Sequence, residues 1–564
     1  MRKIGASSRA EAVTTGGRVR GKFEDEGSMA VFLGIPYAAP PTGSLRWRPP
    51  RPVEGWKRTK KCTKLGPFAF QRKVAFDVFF QGLINGIGLG KARQNALTAA
   101  VKLAPLKESE DCLTVNVRAP AYASDLPVMV WIHGGDHTDG SGGEPHYQSN
   151  SLPQRGCVLV TLNYRLGLFG FMAHRELAEE SPDGVSGNYG LLDQIAALQW
   201  VQENIANFGG DPNRVTIFGE SAGGEAVLNL MTSPRARGLF HRAIAQSPSD
   251  SGRWLHLRRP ALDFIPAEDA GQRFATKLAG EAPGQIDRLR AMDAETLADA
   301  YREDFESGRY MFPVVDGAIL PSMPMSAFSD GQQAAVPLMI GYNSDEGTLI
   351  NDLMNPAGAE FAPPPLPGME ASVTSPRPTP QALRSTLERS YPSPTHVDRL
   401  LAAYPGLGSL DQKAVIDHVG DHMFGVHVDQ ASRRHAELGN PVYRYHFRSV
   451  PASKNQTIGA FHAAELFYVF DTSFPMIPQP KDAHLLKRNM GDRWFAFAAT
   501  GTPDSPGREP WPLFHPANPQ HMVFDRPTSS VQPCPPQPGL DLMRERIDWL
   551  TDQLRSDSNW NSAV

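Results

Sequence analysis

The chain has 564 residues, 41% hydrophobic and 21% charged, as expected of an ordinary folded protein. A net charge of −4 gives no electrostatic reason to expect nucleic acid or an anionic membrane as partner. No stretch reaches 18 uncharged apolar residues, so no membrane span is expected, and Cys62, Cys112, Cys157 and Cys534 lack the Cys-x-x-Cys spacing of zinc or dithiol chemistry.

Residues 1–20 are polar, with no apolar core of a signal peptide, so a cytoplasmic protein with reduced thiols is expected. Prolines crowd Phe32–Pro41 and Leu45–Pro50 and predict an extended, irregular path. Arg46 and Arg48 there are expected to pair with buried carboxylates. Residues 72–107 are apolar and glycine-containing from Val74 to Leu89, with a helix predicted over Asn95–Leu103. Such a segment suits a lid or pocket wall. Val128–Ile132 reads as a central strand running into His133-Gly134-Gly135-Asp136-His137. A glycine-rich turn at that place suits an oxyanion hole of backbone N–H groups. Cys157–Leu162 predicts another buried strand. Leu191, Ile195, Leu198, Val201 and Ile205 recur at helical spacing until Gly209-Gly210 stops them.

Val215–Phe218 then predicts a strand and Ala222–Met231 a helix, with Gly219-Glu220-Ser221-Ala222-Gly223 between them. A Gly-x-Ser-x-Gly in strand–turn–helix context is the signature of a nucleophile elbow, which exposes the serine at a helix N-terminus. Residues 253–335 read as mainly helical and contain the pocket-wall candidates Met311 and Phe312. Val336–Tyr342 predicts a strand leading to Asp345-Glu346-Gly347, either acid of which could serve a catalytic site. The proline-rich 355–380 is expected to be a mobile loop. Val442–Phe447 predicts a strand, followed by Gly459-Ala460-Phe461-His462-Ala463-Ala464-Glu465-Leu466. Helices are expected around Trp494 and Leu542. Strands alternating with helices imply a largely parallel sheet with both faces covered. Reactive groups then gather at the carboxyl ends of its strands. With no repeat or linker visible, a single domain is expected over 17–545, with 72–107 as an insertion and 1–16 and 546–564 as extensions.

These blocks resemble the type-B carboxylesterase/lipase family, the branch of the α/β-hydrolases that includes the cholinesterases. The resemblance rests on Phe32–Pro41, Glu108–Leu113, Trp131–Gly135, Asn163–Phe171, Gly187–Gly224, Asp345–Gly347 and the segment around His462. It implies an α/β-hydrolase fold: a large, mostly parallel central sheet with helices on both faces and long insertions. It implies Ser221 as nucleophile, Glu346 as triad acid and His462 as base, in the family's chain order. N–H groups of Gly135, Asp136 and Ala222 would form the oxyanion hole. Ser247 would support the triad, and His137 is a candidate to face the substrate beside Phe312.

Four departures stand out. Asp136 occupies a position that is usually glycine or alanine, and Ala463 and Pro248 each replace a usual glycine. Gly66-Pro67-Phe68-Ala69-Phe70 lacks the cysteine that often bridges to the one at Cys112. The expected reaction is cleavage of a small carboxylic ester through an acyl-enzyme, with no metal or cofactor, by a monomer or homodimer. A lipase, thioesterase or amidase on the same groups is the alternative, as is a binding module that has lost catalysis.

Overall fold

A computed structural model describes residues 9–103, 107–249, 255–261, 264–349, 379–473 and 477–556. The expected loop at 355–380 falls almost wholly outside these residues.

Among the described residues fourteen strands form two sheets. β1 (Glu11–Thr14), β2 (Gly17–Arg20) and β5 (Lys60–Lys61) make a small sheet. The large sheet has eleven strands in the order β14-β13-β12-β11-β10-β9-β7-β8-β6-β4-β3. These are β3 (Lys22–Glu24), β4 (Met29–Pro36), β6 (Thr114–Pro120), β7 (Leu126–Ile132), β8 (Val158–Leu162), β9 (Gly210–Glu220), β10 (Arg242–Gln246), β11 (Leu338–Asn343), β12 (Val442–Phe447), β13 (Gln520–Phe524) and β14 (Ser529–Pro533). From β8 to β13 every neighbouring pair is parallel. The antiparallel pairs lie at the two flanks.

Inner strands such as β7 and β8 are buried along nearly their whole length, which is why they read as continuous apolar runs. Helices cover both faces. The helix Tyr189–Asn204 packs its leucines and Val201 into one core cluster, while Ala483–Thr500 places Leu486, Met490, Trp494 and Phe497 in the other. Among the described residues no helix is long and apolar enough to cross a membrane.

The domain boundaries differ from those expected. Ala10 and Ala12 are buried, and β1 pairs with β2, so the folded unit starts before residue 17. The helix Pro538–Ser556 runs past 545 and buries Arg546, Ile547 and Leu550. The helix stays in the core as far as Thr551, because the apolar stripe continues at helical spacing beyond the motif blocks.

The expectation of buried partners for the two arginines is met at Arg46 and not at Arg48, which pairs with the exposed Glu180 at 3.1 Å. Arg46 is buried against Glu110 in a two-pronged pair at 2.7 and 2.8 Å. The helix expected over Asn95–Leu103 is present as Lys91–Leu103, and a helix that was not expected, Val74–Gly86, precedes it. Thr457 N donates to Gly86 O at 2.8 Å, which ties Val74–Gly86 to the segment preceding His462.

Candidate active site

Four neighbouring parallel strands, β9 to β12, end at one place. Ser221 follows β9, Ser247 follows β10, Glu346 lies on the turn after β11, and His462 on the long connection after β12. The sheet thus collects residues scattered over more than 240 positions of sequence.

Ser221 caps the helix Ala222–Thr232 with φ 59° and ψ −126°. That conformation costs a non-glycine residue about 1–3 kcal/mol and persists only where its surroundings impose it. Here they do. A Cβ on Gly219 would collide with the carbonyl of Gly223, and one on Gly223 with the carbonyl of Ile132. Strand and helix therefore cross at a distance that excludes side chains, and the turn cannot relax. Ser221 N donates to Gln246 O at 3.0 Å, and Ser221 O accepts from Glu225 N at 2.9 Å.

Glu346 and His462 are both buried, with Glu346 Oε2 2.6 Å from His462 Nδ1. The other carboxylate oxygen of Glu346 accepts from Ser247 Oγ at 2.5 Å and from Asn343 N at 2.8 Å. Asp345, the other acid that sequence left open, turns elsewhere. Its carboxylate accepts from Ala460 N at 2.8 Å and so holds the backbone of the histidine segment. The His462 ring is flanked by two phenylalanines. Phe424 stacks on it at 4.5 Å and 28°, and Phe79, from helix Val74–Gly86, meets it edge-on at 6.4 Å.

The acids around this ring are more numerous than the motif requires. Glu220 Oε1 lies 3.2 Å from His462 Nε2, close enough for an ion pair but without hydrogen-bond alignment. This puts Nε2 on the side of the Ser221 elbow. Glu465 is fully buried and accepts from Gln246 Nε2 at 2.9 Å and Asn343 Nδ2 at 2.7 Å, while Trp494 Nε1 donates to Gln246 Oε1 at 3.0 Å. Burial, with Glu465, Glu346 and Glu144 nearby, pushes the Glu220 carboxyl well above the usual range. Burial opposes charging of the His462 ring, but the carboxylates of Glu220 and Glu346 outweigh it and lift the ring to about 9.

That lift has a testable sign. Glu220 bears its charge when paired with the protonated ring, so Glu220→Gln removes that partner and the ring should lose its proton at lower pH. The acid limb of the kcat/KM profile for a neutral ester should move down by about one unit. A limb that stays or moves up would show that Glu220 does not act on the ring.

The oxyanion-turn candidates lie against the serine: a Cβ on Gly134 would sit 3.1 Å from Ser221 Cβ. Gly135, Asp136 and His137 all have positive φ, at 104°, 54° and 54°. The Gly135 carbonyl accepts from Thr138 N and Asp139 N at 3.0 and 2.9 Å, which closes the turn. Asp136 is half-buried there, and Ala222 contributes an N–H from the first turn of its helix. The His137 ring is buried between Tyr164 and Phe171, with Nε2 3.5 Å from Glu225 Oε2. Phe312 is buried beside Met311. Ala463 has φ 67°, a left-handed backbone that explains why glycine is usual at this position and that costs alanine about 1 kcal/mol.

Sequence reasoning missed Glu465, Gln246, Trp494 and Phe424. Glu465 offered one signal, an acid one helical turn after His462 in an otherwise apolar run.

Fold and site together define an α/β-hydrolase with a serine at its elbow. The chain belongs to the carboxylesterase family, whose model matches residues 8–538. It is 34% identical over 507 residues to the fumonisin B1 esterase of Sphingopyxis macrogoltabida, covering 87% of this chain and 82% of that protein. It is 35% identical over 534 residues to the liver carboxylesterase of Sus scrofa, covering 89% and 87%. The solved structure of a PNB esterase superposes with a TM-score of 0.74 at 30% identity, covering 94% of this chain and 99% of the other. The protein is a carboxylic ester hydrolase.

Proposed function

We propose that this hydrolase works through an acyl-enzyme on Ser221, with His462 as general base and Glu346 as its orienting acid. The observation that carries the reading is the 2.6 Å contact between Glu346 and His462 Nδ1, which leaves Nε2 on the elbow side. A serine hydroxyl is a weak nucleophile at neutral pH, so a base must take its proton as it attacks the ester carbonyl. The neutral form of the His462 ring, which gains population as pH rises toward about 9, takes it through Nε2 and returns it to the leaving alkoxide. The N–H groups of Gly135, Asp136 and Ala222 hold the tetrahedral oxyanion, each worth about 10²–10³ in rate. Water then attacks the acyl carbonyl, with His462 again as base, and frees Ser221. Ser247 fixes the Glu346 carboxylate. Helix Val74–Gly86 walls the pocket through Phe79, whereas the buried His137 ring is taken up by Tyr164, Phe171 and Glu225. The four free thiols support a reducing, cytoplasmic setting.

An aryl phosphonate should inactivate the protein stoichiometrically, and peptide mapping should place the adduct on Ser221. An adduct on any other residue, or none, would overturn the assignment.

A further inference from the structure

Phe424 occupies an unusual place. The helix that carries it is α-helical over Gln412–Gly420 and Val426–Glu437, but Asp421–Gly425 between them is a π turn. Val426 N there reaches back to Asp421 O. Such a turn inserts an extra residue into the helix, is rare, and recurs at functional sites. Here it is braced on three sides. Tyr404 Oη donates to Asp421 Oδ2 at 2.7 Å. A Cβ on Gly425 would lie 2.9 Å from Asp421 Oδ1 and 3.2 Å from Leu540, so a side chain there would push on the carboxylate that Tyr404 holds. One turn earlier, a Cβ on Gly347 would collide with the carbonyl of Ile416, and one on Gly420 would press on the Gly347 amide at 3.1 Å. The helix backbone therefore lies directly on the turn that carries Glu346, and the π turn then lays Phe424 flat on the His462 ring.

We propose that Phe424 is a positioning residue for ester hydrolysis, held by the π turn so that its face fixes the plane of the His462 ring between Glu346 and Ser221. The proposal rests on the triad reading above. An imidazole joined to its acid by one hydrogen bond can still swing about that bond. A face-to-face stack removes the swing and keeps Nε2 aimed at the elbow. An aromatic face also favours the imidazolium that forms when the serine proton arrives. The charged groups facing the ring come from other elements: Glu346, Glu220 and, further off, Glu465. Asp421 is occupied by Tyr404, and His422 stacks on His418, so this helix meets the ring with an uncharged face. Phe79 meets it likewise.

The test compares Phe424→Leu and Phe424→Tyr with the parent, and uses His462→Ala as reference, on an aryl ester across pH. Leucine keeps most of the volume but removes the π face. It should lower kcat about tenfold, since small misplacements of a reacting group are costly, leave KM within twofold, and move the acid limb to lower pH. Tyrosine should restore both kcat and the limb. The proposal is overturned if leucine keeps the parent kcat, or if the loss appears in KM. It is also overturned if tyrosine fails with leucine in step with a lowered melting temperature, which would make Phe424 core packing alone. Retained activity in His462→Ala would instead bring down the triad reading itself.

Discussion

Ser221→Ala should remove ester hydrolysis by about 10⁴-fold or more and leave the fold intact. The size of the loss follows from the loss of covalent catalysis as a whole, since a base and an acid without a nucleophile have nothing to activate. The fold should survive because alanine accepts the same imposed backbone at φ 59° at similar cost, and because what holds the turn is contact between the backbones of Gly219, Gly223 and Ile132. The Ser221 amide and carbonyl keep their bonds to Gln246 and Glu225. Paired measurements of kcat/KM and melting temperature check this. A variant retaining a tenth of the parent rate would mean that the hydroxyl is not the nucleophile.

Glu346→Gln should cost about 10⁴-fold in kcat, nearly as much, although only one atom changes. The reason lies in the donors around the carboxylate. Oε1 accepts from Ser247 Oγ and Asn343 N, so the carbonyl oxygen of a glutamine must stay there. Its NH₂ then faces His462 Nδ1, where Oε2 now lies at 2.6 Å. Nδ1 must become the acceptor, which places the ring proton on Nε2, and an Nε2 that already carries a proton cannot take one from Ser221. Raising the pH should not rescue the variant, because the fault is the tautomer and not the charge. Recovery in alkaline buffer, or a loss below about tenfold, would show that the ring is oriented by something else.

The elements carrying Ser221 were legible because they are local. Val215–Phe218 and Ala222–Met231 fall within β9 and its helix, and Val442–Phe447 is β12 to the residue. Continuous apolar runs announce buried parallel strands, and paired glycines announce a close crossing. The link from Ser221 to Glu346 and His462 was not local. It came from ordered motif blocks, and the residues alone left Asp345 and Glu346 open. What escaped was written only in the packing. Gln246, Asn343, Glu465 and Trp494 belong to four separate elements and share one hydrogen-bonded group. The π turn under Phe424 arises where a helix is pressed onto the Glu346 turn, and nothing in Asp421–Gly425 predicts it by propensity. Ala463 stood out only as a replacement for a usual glycine, and its φ of 67° is set by the segment it closes.

The order of the chain carries a consequence for synthesis. The serine leaves the ribosome 241 residues ahead of the imidazole that would deprotonate it, and Trp494, which braces Gln246 beneath both, comes later still. A nascent chain can thread its central strands and even bend its elbow while remaining chemically inert. Hydrolysis by these residues then waits until the segment around His462 has docked against the Glu346 turn.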